Sequence, residues 1–301
     1  MKTQNRWVIL FLSLFIILLF FILYKKFWEK NKNKYEGFSS QSSSFELKQN
    51  NSIYDSFYAM IYDDLYKSPT RAKYEYQTII DLTQPSKENS IFLDVGSGTG
   101  HLVNKLIENG YKAFGIDISQ SMIDASLQKF PNIQNKCGNA TDTMAYDRNT
   151  FTHITCLNFT IYHFEDLVLF LRNCYFWLVP NGYFIVHLVN KQKYNPIVPI
   201  GNPPGLENPQ KYAKQRITDA FVDFKDFTYK NSVDFQNNKT TIMETFTDTT
   251  TQKIRQNETT LYMKDLENMM YVIEKCGFIL HGQASLVNDE YQYIYIFEKQ
   301  Q

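Results

Sequence analysis

Short apolar runs alternate with segments of helical periodicity through the middle of the chain. Four such runs are Ile91–Val95, Lys112–Asp117, Asn132–Cys137 and Phe151–Leu157. After the first run, Leu102, Leu106 and Ile107 fall on one helical face. Apolar runs of this length predict buried strands, and the helical segments between them predict crossovers between parallel neighbours. The pattern therefore predicts an α/β fold with a mostly parallel sheet.

Further elements complete this sheet and cover it. Helices are predicted over Ile53–Leu65, Arg71–Leu82, Leu167–Leu178 and Asp265–Cys276. Three more strands are predicted over Tyr183–Val189, Phe278–Val287 and Tyr291–Phe297. With helices on both faces of seven strands, the expected fold is a three-layer, doubly wound, Rossmann-like sandwich.

The segment after the fifth strand has a different pattern. Apolar and polar residues alternate over Phe227–Phe235, Thr240–Thr247 and Lys253–Met263, with turns rich in Asn and Thr between them. Alternation of this kind predicts short antiparallel strands with one buried face. We therefore expect an antiparallel β cap, inserted at about residues 190–263.

An uncharged apolar run from Trp7 to Tyr24 lies near the start of the chain. A helix over these residues would span roughly 27 Å, close to the hydrocarbon thickness of a bilayer. More basic residues follow the run than precede it, which by the positive-inside rule directs the following domain to the cytosol. The run therefore predicts a single-pass membrane protein with a cytosolic catalytic domain.

The chain is thus predicted to have three parts. Residues 1–35 are the predicted membrane anchor and its basic flank. Residues 36–52 are rich in serine and are expected to form a flexible linker. Residues 53–301 form the folded domain, which includes the cap.

Composition excludes some classes of partner. The chain has 31 Lys and Arg against 31 Asp and Glu, so its formal net charge is zero and no nucleic acid is indicated as a partner. Its four cysteines form no C-x-x-C pair, and no histidine lies at zinc-ligand spacing, so no metal site is expected. The oligomeric state is left open.

The first predicted strand runs directly into a glycine-rich turn, Asp94–Gly100, with the pattern Asp-x-Gly-x-Gly-x-Gly. Glycines let a ligand approach the backbone, and a helix N-terminus follows. A dinucleotide fingerprint would need glycine at the position of His101. The second strand ends in Asp117, where an acid can accept hydrogen bonds from both ribose hydroxyls. The pattern predicts a ribose-containing ligand whose cationic amino group suits Asp94.

This combination resembles motif I and the ribose-binding acid of class I S-adenosylmethionine (SAM)-dependent methyltransferases. The resemblance covers residues from about 53 to 299. It implies SAM as the cofactor and a set of cofactor-binding residues. These are Asp94, Gly96, Ser97, Gly98, Gly100, Asp117, Ile118, Met122, Asn139, Ala140 and Leu157.

Two positions depart from the pattern of that family. The family usually has Gly-Asp-Ala after its third strand, where this chain has Asn139 in place of the acid. The side-chain carbonyl of Asn139 can still accept a hydrogen bond from adenine, but without charge. Many relatives have an acid after the position of Phe151, where this chain has Thr152.

Three side chains are candidates for the acceptor side of the site. In related methyltransferases a helix like Ile53–Leu65 covers the pocket, so Tyr58 and Tyr62 are expected to line the acceptor cavity, unless they only pack. His163 lies in the loop after the fourth strand, which in the family is beside the transferred methyl group. Its ordinary pKa suits a general base, although a packing role is the alternative.

The resemblance implies a membrane-anchored methyltransferase that acts on a nitrogen or oxygen atom of a small polar acceptor. The predicted anchor also favours an alternative acceptor, a lipid or quinone held at the membrane. A rival from another class is a SAM-fold protein that only binds a partner at the membrane, which Asn139 and Thr152 support. The identity of the acceptor does not follow from the sequence.

Overall fold

A computed structural model of the chain describes residues 12–22, 38, 41–201, 209–286 and 289–300. A seven-stranded sheet lies at the centre of the fold. In chain order its strands are β2 (Ile91–Val95), β3 (Lys112–Asp117), β4 (Gln134–Cys137), β5 (Phe151–Cys156), β6 (Leu178–Val189), β11 (Phe278–Leu286) and β12 (Asp289–Lys299). Across the sheet the order is β11-β12-β6-β5-β2-β3-β4.

The direction of the strands agrees with the apolar pattern. The strands from β6 to β4 are parallel to one another. β12 is antiparallel to β6, and β11 is antiparallel to β12. The predicted mostly parallel, seven-stranded sheet is thus confirmed. In such a sheet the loops after the carboxyl ends of the parallel strands carry the ligand site.

Helices cover both faces of this sheet. These helices are α2 (Ser56–Tyr66), α3 (Ser68–Thr83), α4 (His101–Glu108), α5 (Gln120–Lys129), α6 (Leu167–Trp177) and α7 (Leu266–Lys275). Helix α1 (residues 12–22) belongs to a separate unit that precedes this domain in the chain. Successive strand residues point to opposite faces. Phe92 packs in a core with side chains of α3 and α4, whereas Leu93 packs in a second core with side chains of α6 and α7. These layers form the expected sandwich.

A second sheet of five strands forms the cap. Its strands are β1 (Phe45–Gln49), β7 (Asp219–Asp223), β8 (Phe227–Phe235), β9 (Thr240–Asp248) and β10 (Ile254–Leu261). The order is β1-β10-β9-β8-β7, antiparallel except for the parallel pair of β1 and β10. The alternation predicts β8, β9 and β10 but neither β1 nor β7. Because β1 lies within residues 36–52, part of the expected linker is a strand of the cap sheet.

The predicted membrane anchor is not supported. Of Trp7–Tyr24, the structure describes residues 12–22 as helix α1, and the other residues lie outside the described part. Among the described residues, no helix combines the length and the apolar character needed to cross a membrane. The prediction of a single-pass membrane protein with a cytosolic catalytic domain is therefore wrong.

An ion pair joins α2 to the cap sheet. Asp55 caps α2 by accepting the Tyr58 N–H at 3.1 Å. Its two carboxylate oxygens accept from Nη1 of Arg255 on β10 at 3.0 and 2.7 Å. The Arg255 side chain is only 3% exposed, and it also donates to the carbonyl of Ile53 at 3.0 Å. These contacts fix the start of α2 on the cap sheet.

We expect Arg255→Leu to lower the free energy of unfolding by about 3 kcal/mol, because it leaves Asp55 without its buried partner. Chemical denaturation followed by circular dichroism measures this difference. Lys48→Leu is the matched control, since the Lys48 ammonium lies 3.9 Å from the same carboxylate but is more exposed. We expect the control to change the free energy by less than about 0.5 kcal/mol. Equal losses in the two variants would contradict an anchoring role for Arg255.

Candidate active site

The glycine turn connects β2 to α4. Gly96 and Gly98 both have positive φ, at 70° and 50°, a region that glycine enters without a steric penalty. A Cβ on Gly96 would lie 2.5 Å from Cγ2 of Thr160, so packing closes this side of the turn. A Cβ on Gly98 would meet only the Tyr62 ring, at 3.8 Å. The turn is therefore open to a ligand at Gly98, and Gly100 then begins α4.

Asp117 ends β3 beside this turn. Its Oδ2 accepts the Gly98 N–H at 2.9 Å, and its Oδ1 accepts the Ser119 N–H at 2.9 Å. Each carboxylate oxygen keeps a second lone-pair site for a ligand donor. Burial raises the pKa of Asp117, and the two backbone N–H groups oppose the rise. The glycine turn and the acid that the sequence pairs with it are joined by a direct hydrogen bond.

The residues after Asp117 form an apolar wall. Ser119 caps α5 by accepting the Met122 N–H at 3.1 Å. Met122 is buried, whereas Ile118 is 47% exposed. An accessible aliphatic side chain next to Asp117 leaves an apolar surface for a planar ring. This is the place where the resemblance implies adenine.

The two departures from the family lie in different parts of the fold. Asn139 follows β4 and is exposed, and its Oδ1 accepts the Thr141 N–H at 2.9 Å in a local turn. Thr152 lies near the start of β5, where its hydroxyl accepts the Ile91 N–H at 2.8 Å. Ligand loops follow the carboxyl ends of the strands, so Thr152 lies at the opposite edge of the sheet. Thr152 therefore does not contribute to the site.

Asp94 lies under the glycine turn, near the end of β2. Its side chain is buried and accepts the Thr155 hydroxyl at 2.6 Å. Burial raises the pKa of Asp94 to about 7, although the Thr155 hydrogen bond works in the opposite direction. This carboxyl group can therefore release a proton near neutral pH when a cationic group binds beside it.

Arg71 on α3 is a site residue that sequence reasoning missed. It lines the same cleft as Asp94, Gly98 and Leu157. Its Nε lies 3.3 Å from Oε1 of Glu75, and its buried Nη1 has no hydrogen-bond partner. An unpartnered guanidinium nitrogen suits a ligand carboxylate. The signal in the sequence is a charged pair at i and i+4 on the helix face that also carries the buried residues of α3.

Asp63 holds α2 against the glycine turn. Its carboxylate accepts the Thr99 hydroxyl at 2.6 Å, lies 2.8 Å from Nε2 of His101, and also contacts the Lys129 ammonium. Burial alone would raise the pKa of Asp63. Hydrogen bonds from His101, Lys129 and Thr99 outweigh that effect and hold the pKa well below its usual value. The helix that carries Tyr58 and Tyr62 is thereby fixed over the turn.

A large cavity lies between α2 and the cap sheet. Its volume is about 1030 Å³, and both Tyr58 and Tyr62 line it. The Tyr62 hydroxyl accepts from Nδ2 of Asn158 at 2.6 Å. The cavity shares Tyr62, Arg71 and Glu75 with the cleft at the glycine turn. Tyr62 therefore borders both the cleft and the cavity, and Tyr58 borders the cavity.

His163 lines the same cavity. Its Nε2 lies 3.3 Å from the Tyr54 hydroxyl. Burial lowers the pKa of His163 to about 4 and that of the neighbouring cavity residue His187 to about 3. Both rings are therefore neutral at pH 7. A neutral imidazole can accept a proton, but one with this pKa is a weak base.

Two predicted cofactor residues remain. Ser97 lines the cleft at the glycine turn, and its buried hydroxyl has no hydrogen-bond partner. Ala140 is buried in the core that contains α6 and α7. The fold thus gathers the predicted residues from the turn, from the end of β3 and from the loops after β4 and β5 at one edge of the sheet.

The segment that forms this edge of the sheet is similar to known proteins. Residues 93–186 match the family described as a methyltransferase domain. The matched segment runs from β2 into β6 and includes the glycine turn, Asp117 and Asn139.

A ubiquinone biosynthesis O-methyltransferase from Coxiella burnetii is 29% identical to this chain over 128 residues. The match covers 41% of this chain and 51% of that relative. The chain thus spans about half the length of this curated relative.

Solved structures share the fold over a larger part of the chain than the curated relative does. An S-adenosylmethionine-dependent methyltransferase from Clostridium acetobutylicum superposes with a TM-score of 0.60 at 16% identity, over 81% of this chain and 98% of the other. SAM-bound CalS10, an amino pentose methyltransferase from Micromonospora echinaspora, has a TM-score of 0.54 at 15% identity, over 77% and 92%. At such identities the likeness is one of fold. Together with the domain match and the pairing of the glycine turn with Asp117, it leads to one conclusion: residues 93–186 match a methyltransferase domain, in a fold that SAM-dependent methyltransferases share, and this supports SAM as the cofactor.

Proposed function

We propose that this protein transfers a methyl group from SAM to a nitrogen or oxygen atom of a small polar acceptor. The observation that carries the proposal is the junction of two spaces. The cleft at the glycine turn and the large cavity under the cap share Tyr62, Arg71 and Glu75 as walls. Transfer between two bound molecules requires adjoining sites of this kind.

The residues at the turn fit SAM. Asp117 keeps lone-pair sites for the ribose hydroxyls, and Ile118 offers an apolar surface for adenine. The methionine end of SAM carries an ammonium and a carboxylate group. Asp94 suits the ammonium group, and the unpartnered Nη1 of Arg71 suits the carboxylate. Three chemically different parts of the cofactor thus each have a matching side chain.

When bound, SAM supplies an electrophilic methyl group on a sulfonium, which is already a good leaving group. The contribution of the chain is to hold the acceptor and to exclude water. Tyr58, Tyr62 and Phe159 present ring surface to the cavity. Positioning and desolvation of this kind can supply much of the rate enhancement without a strong base.

His163 is the candidate base for the acceptor proton. Its position in the cavity wall supports this role. Its lowered pKa, about 4, limits the driving force with which it can take a proton. We therefore propose that His163 makes a smaller contribution than the positioning of the acceptor.

A quinone-type acceptor is the second candidate. The relative from Coxiella burnetii is named for ubiquinone biosynthesis. Aromatic side chains of α2 and the adjoining turn, among them Tyr54, Tyr58 and Tyr66, line the cavity and suit a flat ring. The polar acceptor stays first because the cap wall also contributes buried polar side chains, Asn231 and Glu244.

The first test is SAM binding by isothermal titration calorimetry. We expect Asp117→Ala to weaken binding by about a hundredfold or more, because it removes the ribose acceptors and the acceptor of the Gly98 N–H. Asp124→Ala, on the exposed side of α5, is the control and should bind normally. Unchanged affinity in Asp117→Ala would mean that the pocket is elsewhere. A wild-type protein that does not bind SAM would refute the proposed function.

SAM affinity should also depend on pH through Asp94. Below about pH 7 the free protein holds a proton on this carboxyl group, and an ammonium ligand favours its release. The affinity should therefore rise by about tenfold per pH unit well below this pKa and level off above it. Calorimetry between pH 5 and pH 7.5 measures the slope.

Asp94→Asn separates this effect from other titrations. The variant should bind more weakly at pH 7.5 and should show a flatter dependence on pH. Glu75→Gln is the matched comparison, because burial also raises the pKa of Glu75 in the same cleft. A slope that persists in Asp94→Asn and disappears in Glu75→Gln would assign the proton to Glu75 instead.

The state of His163 can be measured without an acceptor. We expect its imidazole to stay neutral from pH 8 down to about pH 5, because burial disfavours the charged ring. Nuclear magnetic resonance of the histidine ring carbons gives the titration curve, and His163→Gln identifies the signal. A midpoint between pH 6 and 7 would contradict this expectation and would make His163 a stronger candidate base.

A further inference from the structure

A row of polar side chains crosses the cap sheet on its buried face. Asn231 on β8 is directly opposite Glu244 on β9, and Glu244 is directly opposite Asn257 on β10. Residues in register on neighbouring strands point to the same face. All three are at most 2% exposed. Apolar and aromatic residues would serve a purely structural face better, because buried polar groups need partners.

Glu244 has no charged partner. Its Oε1 accepts the Tyr229 hydroxyl at 2.9 Å. Within the described part of the chain it forms no ion pair. Arg255, the basic residue beside this row, already donates to Asp55, to the Ile53 carbonyl and to Asn257 Oδ1. The carboxyl group is therefore buried without an ion pair, and the Arg255 guanidinium acts on it only as a nearby charge.

The side chain of Asn231, unlike that of Glu244, has no hydrogen-bond partner within the described residues, either at Nδ2 or at Oδ1. Both Asn231 and Glu244 line the large cavity under the cap. An amide left without partners in a buried position costs free energy unless a ligand or water completes it. The two side chains thus form a polar site in the cavity wall, in which Glu244 lacks an ion pair and Asn231 lacks hydrogen-bond partners.

The groups that face this site favour a cation over a neutral ligand. Burial raises the pKa of Glu244, and its hydrogen bonds with the side chains of Tyr58, Tyr229 and Asn257, together with the charge of Arg255, oppose the rise. The Tyr58 and Tyr66 hydroxyls lie 3.4 Å apart on the α2 side, and both residues line the cavity. A ligand ammonium group would form an ion pair with the Glu244 carboxylate and donate a hydrogen bond to Asn231 Oδ1. It would also lie near the aromatic rings of Tyr58 and Tyr66.

We propose that Glu244 and Asn231 bind an amino group of the acceptor, so that the acceptor is a small amine. This inference rests on the proposed methyltransferase function and names its substrate class. Glu244 and Asn231 are specificity-determining residues in this proposal. The amine bound here need not be the atom that receives the methyl group.

The test compares two probes that differ only in the group of interest. Tyramine carries a primary amine where tyrosol carries a hydroxyl, and the ring of each suits the aromatic cavity. Each is titrated into wild-type protein saturated with S-adenosylhomocysteine, at a pH at which the amine is protonated. We expect tyramine to bind about tenfold more tightly than tyrosol, as a charge-assisted hydrogen bond to a buried carboxylate implies.

Two variants locate the effect. Glu244→Gln keeps the shape of the side chain and removes its charge, so tyramine should lose its advantage over tyrosol. Glu258→Gln is the matched control, since Glu258 follows Asn257 on β10 and points to the other face of the cap sheet, where it bonds Gln49. The control should keep the preference for tyramine unchanged. Titration of each variant with S-adenosylhomocysteine verifies that the site is folded.

Several results would overturn the inference. They are equal affinity of the two probes for the wild type, tighter binding of tyrosol, no binding of tyramine at millimolar concentration, and an undiminished amine preference in Glu244→Gln. The comparison of the two probes on the wild type needs no variant and stands by itself. Failure of the proposed function is seen separately, because it appears as a protein that binds neither SAM nor S-adenosylhomocysteine.

Discussion

The hydrogen bond from the Gly98 N–H to Asp117 is the contact on which the site depends. It joins the loop after β2 to the end of β3, so two neighbouring parallel strands deliver one ligand surface. On the other side of the turn Gly96 packs against Thr160, where there is no room for a Cβ. The ligand side of the turn stays open at Gly98. The backbone of the glycine turn and the Asp117 carboxylate are therefore linked, and each helps to hold the other in position.

Helix α2 extends this unit into an enclosed site. At one end Asp63 bonds Thr99 and His101 at the glycine turn. At the other end Asp55 pairs with Arg255 of the cap sheet. The same helix thus borders both the cleft at the glycine turn and the cavity under the cap, and its tyrosines line the cavity. This double attachment explains why a helix outside the central sheet belongs to the site.

The charges around the two spaces are arranged differently. The cleft at the turn holds a cation and carboxyl groups together, Arg71 with Asp94 and Glu75, which suits a zwitterionic ligand end. The cap wall holds Glu244, which forms no ion pair within the described residues. Asn139 uses its carbonyl in a local turn, and Thr152 lies at the far edge of the sheet. The two departures from the family therefore bear on the cofactor site much less than its charged residues do.

The local sequence pattern was sufficient to predict the seven-stranded sheet, the glycine turn and the position of Asp117. Strand period, glycine geometry and chain order are properties of residues that are neighbours in the sequence. The pattern misjudged the apolar run near the start of the chain, since apolar composition alone does not establish that a helix crosses a membrane. It also missed β1, which has a partner only across more than 200 residues in β10. Arg71, Glu244 and Asn231 became site residues only in the tertiary structure. Their role depends on the burial of their polar groups, some of which have no hydrogen-bond partner, and burial is decided by the packing of α2, α3 and the cap sheet around them.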